Sequence, residues 1–62
     1  MGQKITDIFE AVMKEGGLTA RMRVSMIANI PSAKAAETPD TPENITKLKN
    51  AYKEVLGKDY KG

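Results

Sequence analysis

The sequence predicts a small all-α domain, a three-helix, bundle-like fold. Three observations predict it. Apolar residues recur at helical spacing near both ends of the chain. Glycine and proline punctuate the segments between them. A chain of 62 residues has room for one marginal core, so residues 1–62 are expected to form a single domain.

In the first segment Ile5, Ile8, Phe9, Val12 and Met13 fall at i, i+3, i+4, i+7 and i+8, one face of an amphipathic helix. Lys4, Asp7, Glu10, Lys14 and Glu15 take the other side. Gly16-Gly17 ends the helix, because glycine tolerates the left-handed backbone that closes one. A helix over residues 3–15 follows.

The middle segment, Leu18 to Ile30, carries two periods. Coiled and capped by Thr19, it gathers Met22, Val24, Met26, Ile27 and Ile30 on one broad apolar arc, interrupted by Arg23. Extended, it alternates Ala20, Met22, Val24 and Met26 against Arg21, Arg23 and Ser25. Helix is preferred, since Ala, Met, Arg and Leu favour it and a lone strand has nothing in the chain to pair with. The helix is placed at 19–29, because the residue before Pro31 is biased away from helical dihedrals. Pro31 can open a further short turn near 31–37, and Thr38-Pro39-Asp40 reads as a connector.

The last segment begins with Thr41 as N-cap, Pro42 at the first helical position and Glu43 at the positive end of the dipole. Ile45, Leu48, Tyr52, Val55 and Leu56 form its apolar stripe, Glu43 and Lys47 an i,i+4 ion pair, and Gly57 its stop. This predicts a helix over 42–56, with the first and last helices packing on the middle one.

In the extended reading, Arg21-Met22-Arg23-Val24-Ser25-Met26 resembles the DNA-reading strand of ribbon-helix-helix repressors over those six residues. The resemblance implies a dimer of paired strands whose Arg21, Arg23 and Ser25 enter the major groove. The stretch from Ala33 to Glu37, however, has no large apolar residue with which to build such a dimer's core, and a whole helix precedes the strand.

Chemistry is sparse. There is no Cys and no His, so disulfides, the usual structural zinc sets and the Ser/His/Asp and Cys/His arrangements are excluded. Asp7, Glu10 and Lys14 have the spacing of a solvated helix face. Gly16-Gly17 matches no phosphate-binding loop. Met1-Gly2 with Thr6 fits the loose acylation pattern, but Lys4 is followed by Asp7 and Glu10 and gives no basic patch to support an anchor. Nothing suggests a cofactor, a metal, a small-molecule substrate or a membrane span, and a cytoplasmic protein is expected.

The net charge of +2 divides evenly: residues 1–31 carry four basic and three acidic side chains, residues 32–62 six and five. The basic residues from Asn44 onward are read as a solvated face, Met13, Met22 and Met26 as flexible core filler, and Arg23 as a snorkelling stem. The expectation is a non-enzymatic interaction module or accessory subunit that completes its burial on a protein partner or a second copy. The alternative is a small nucleic-acid-binding regulator, working through Arg21 and Arg23 and, on the basic last helix, Lys49 and Lys53.

Overall fold

The computed structural model describes residues 4–61. The acylation pattern at Met1-Gly2 and the first position of the expected 3–15 helix lie outside the described residues. The elements are α1 (Ile5–Ala28), a 3-10 helix (Ser32–Glu37) and α2 (Pro42–Leu56), and among the described residues there is no strand.

α1 is 24 residues long, and its midpoint, Gly17, is not helical: φ is 74° and ψ −166°. Side chains other than hydrogen are essentially barred from that region of backbone space. A straight helix of this length would measure about 36 Å, yet the longest dimension of the molecule is 24 Å. α1 is therefore two arms, residues 5–16 and 18–28, folded about Gly17. Gly16 serves a different need. A Cβ there would lie 2.5 Å from Ala20 Cβ and 2.9 Å from Leu56 Cδ2, so the start of the second arm and the end of α2 both close on its bare backbone.

α2 is set by its caps. Thr41 Oγ1 accepts from the Asn44 N–H at 3.2 Å, and Asn44 Nδ2 donates to Pro39 O at 2.9 Å. Gly57, left-handed at φ 73°, closes the helix by donating its N–H to Lys53 O at 2.8 Å. Two links fix α2 beside the first arm. At its start the Ile5 N–H donates to Asp40 Oδ1 at 2.8 Å, which places a carboxylate at the positive end of α1. At its end Lys58 Nζ donates to both Glu15 carboxylate oxygens, at 2.8 and 3.0 Å. With starts and ends matched, the first arm and α2 run parallel. The second arm returns the chain between them in sequence, which completes the three-helix domain.

The second arm ends in a Schellman turn. Asn29 is left-handed (φ 57°), its N–H donates to Met26 O at 3.2 Å, and the Ile30 N–H donates to Ser25 O at 3.1 Å. Ser25 Oγ fastens the turn by donating to Ile30 O at 2.8 Å and accepting from the Ser32 N–H at 3.2 Å. The 3-10 helix then lies against α1 rather than α2.

The core joins Ile5, Ile8, Phe9 and Val12 of the first arm to Ala20, Val24 and Ala28 of the second, with Ile30, Ala35, Leu48, Ala51 and Tyr52. Ile5, Ile8, Val12, Val24 and Leu48 are wholly enclosed, each worth about 1.5–3 kcal/mol of transfer free energy. Tyr60 returns the chain end onto this core, its ring 5.3 Å from that of Tyr52 in an edge-to-face pair at 70°.

The preferred helical reading of the middle segment holds: residues 18–28 are helical, and the extended alternative, with the paired strand of the ribbon-helix-helix resemblance, does not form. Two details need correction. Thr19 is not the cap: the helix resumes at once after Gly17, and Thr19 lies inside it. The expected arc is also split, because Val24 and Ile30 are buried while Met22, Met26 and Ile27 point outward. The close approach of the arm at Gly16 explains the last point. A face held so near its neighbours admits Ala20, Val24 and Ala28 but not a row of thioethers. Replacing Gly17 by Ala, at a dihedral pair that disfavours any Cβ, is expected to lower stability by about 1–3 kcal/mol. Urea unfolding followed by circular dichroism measures this, and an unchanged midpoint would show that the corner tolerates a side chain.

Candidate functional site

The second arm presents to solvent what the core excludes. Leu18, Met22, Met26 and Ile27 are 53, 57, 79 and 49% exposed. Leu18, Met22 and Met26 stand at i, i+4 and i+8 and form one ridge along the helix, while Ile27 lies one turn beyond Arg23 on the ridge's flank. Single exposed apolar residues need no explanation, whereas several together on one short helix make this face a candidate contact surface.

Beside the ridge is an open hollow of about 280 Å³, between the first arm and the 3-10 helix. Phe9, Met13, Ala33, Ala35 and Ala36 give it apolar walls, with Glu10 and Arg21 also lining it. Arg21 joins the two features, since it follows Leu18 by one helical turn. Its side chain is half-buried, and its Nε is shut off from solvent with no hydrogen-bond partner among the described residues.

Two sets of cations contrast. Lys47 pairs with Glu43 at 3.8 Å, Lys53 with Asp59 at 3.6 Å, and Lys58 with Glu15 at 2.8 Å. Arg21, Arg23 and Lys34 form no ion pair among the described residues. The sequence from Gly16 to Ala36 contains these three cations and no Asp or Glu, so one stretch of chain carries three uncompensated positive charges. The hydrogen bond and charge of Lys58 hold the Glu15 carboxyl below its ordinary range, and Glu15 in turn raises Lys58. Burial pushes the Tyr60 phenol up, helped by the charges of Asp7 and Glu10.

The four residues singled out from the sequence are not brought together as one patch. Arg21 lines the hollow, and Arg23, two positions on, turns to a different side of the arm and is exposed. Lys49 and Lys53 are one turn apart on α2, and Lys53 is engaged by Asp59. The sequence reading missed Leu18, Met13 and Lys34 as surface elements. The acid-free run was readable, but dividing the chain between residues 31 and 32 hid it behind equal halves. Among the described residues no group of three or more acidic side chains could hold a metal ion, and no helix is long and apolar enough to cross a membrane. Comparison with protein-family models, curated proteins and solved structures finds no match to this chain.

Two measurements test this electrostatic description. Replacing Arg21 by Met keeps the apolar stem and removes the unpartnered donor, so stability is expected to stay level or rise by up to about 1 kcal/mol. A loss larger than that in urea unfolding would mean that the guanidinium has a partner. For Glu15, NMR titration is expected to give a pKa below that of an exposed glutamate, returning to the ordinary range in Lys58→Met. A lowered folded-state pKa adds stability that is present at neutral pH and lost as pH falls through that value. Lys58→Met should therefore flatten the acid side of the stability profile, and an unchanged profile would show the pair to be inconsequential.

Proposed function

We propose that this protein is a non-enzymatic protein–protein interaction module whose contact surface is the outer face of the second arm. One observation carries the reading: four large apolar side chains, Leu18, Met22, Met26 and Ile27, stand in solvent on an eleven-residue arm whose inward face is already filled by small residues. In a chain this short, apolar side chains are needed for the core. Leaving four of them outside costs burial unless another surface covers them. Methionine suits such a face, because its unbranched, polarisable side chain adapts to the shape of what it meets.

Nucleic-acid binding is the second reading, favoured by the unpaired Arg21, Arg23 and Lys34. Two facts weigh against it. The apolar ridge adjoins those charges, and Lys47, Lys53 and Lys58 on or next to α2 are neutralised within the chain. A phosphate-binding surface would show affinity for duplex DNA that falls steeply with salt.

Replacing Met22 and Met26 together by Glu tests the first reading. Because both side chains are exposed, unfolding stability should change by no more than about 0.5 kcal/mol. Cross-links that the parent forms with other proteins through the second arm should be lost in the double variant, as read by chemical cross-linking. Cross-linked products identical for the parent and the double variant would remove the second arm as the contact surface.

A further inference from the structure

The charges around the second arm say what kind of partner it fits. We infer that the ridge and the adjoining hollow accept an amphipathic helical segment of another protein, one whose apolar side chains are flanked by carboxylates. This rests on the interaction role proposed above and names its partner chemistry.

The geometry fits a helix laid along a helix. Leu18 to Met26 spans about 12 Å, the reach of apolar anchors at i, i+4 and i+7 on a docked helix. The hollow walled by Phe9, Met13 and Ala36 lies beside the ridge and is open to a further apolar side chain. Electrostatics then selects the flanks. Arg21 lines the hollow and Arg23 lies on the far flank of the ridge, neither with an ion pair among the described residues, and no carboxylate occurs between Gly16 and Ala36. Glu10, on the first-arm side of the hollow, is the acidic residue among those that line it. A carboxylate entering beside the hollow is therefore drawn to its second-arm side, where Arg21 lies, and one on the opposite flank of the ridge to Arg23.

The same charges disfavour a second copy as the occupant. Two arms paired antiparallel about Met22 would set Arg23 against Arg23 of the other copy, and neither arm holds a carboxylate to offset them. Arg21 points the same way. A half-buried guanidinium with a shielded, unpartnered Nε is a cost to the isolated fold, and a partner that neutralises its charge recovers part of it.

Three synthetic helical peptides test the inference on the full chain at low salt, read by the methyl NMR signals of Leu18, Met22 and Met26. One has a leucine face flanked by Glu, the second the same face flanked by Lys, and the third the Glu flanks with serine replacing leucine. The Glu-flanked leucine peptide is expected to shift those signals and to bind at least about tenfold more tightly than the Lys-flanked one. Arg23→Glu, at an exposed position that leaves the fold intact, should invert the order. Equal or tighter binding of the Lys-flanked peptide overturns the inference, as does equal binding of the serine-faced peptide. Stronger shifts with duplex DNA, or with phosphatidylcholine–phosphatidylserine vesicles, overturn it as well. A concentration-dependent dimer that Met22→Glu dissolves would overturn the acidic partner while leaving the interaction role intact. No shift with any probe, together with a chain that stays monomeric, would overturn both.

Discussion

The reversal of the chain at Gly16-Gly17 governs what every other residue can do. Gly17 occupies a dihedral pair that only glycine holds without strain, and Gly16 leaves the space into which Ala20 and Leu56 close. Without the corner, residues 5–28 would form a single rod with apolar side chains on two unrelated faces. With it, Ile5, Ile8, Phe9 and Val12 meet Val24 and Ala28 and leave a seat for Leu48, Ala51 and Tyr52. Burial supplies the stabilisation, but the glycines decide which surfaces can be buried together.

A tight corner has a consequence on the opposite side. Because the second arm approaches its neighbours closely, its inward face is restricted to Ala20, Val24 and Ala28, and the longer side chains of the same helix face water. The 3-10 helix lies on α1 and not on α2, and the hollow beside Arg21 is bounded by it and the first arm. One constraint thus yields a closed interior and an apolar exterior on the same short helix. The cost in unburied methionine and leucine, and in the shielded Arg21 Nε, is of the kind tolerated where a surface is kept for recognition rather than for stability.

Charge refines that surface. The ion pairs of Lys47, Lys53 and Lys58 lie on α2 or join its end to the first arm, and exposed pairs of this kind add little stability. Their larger effect is to neutralise Lys47, Lys53 and Lys58, while Arg21, Arg23 and Lys34 of the second arm and the 3-10 helix form no ion pair among the described residues. On the proposed reading, an apolar ridge bordered by positive charge would select a partner by sign as well as by hydrophobicity.

The sequence by itself determined the apolar stripe of the first helix and both limits of the last. The stripe of Ile5, Ile8, Phe9 and Val12, the Thr41-Pro42 start and the Gly57 stop are local signals of spacing and backbone preference, and each matches the structure. It also showed that no histidine or cysteine is available for catalysis or zinc. Tertiary structure alone decided which side of residues 18–28 faces inward. Val24, Met22 and Met26 have similar apolar character, and periodicity groups them without knowing how near the next helix lies. That distance is set at Gly16 by contacts with Ala20 and, forty positions along the chain, Leu56. The candidate surface was illegible for the same reason: whether an apolar side chain is core or contact depends on the room left for it, and that room exists only once the chain has folded.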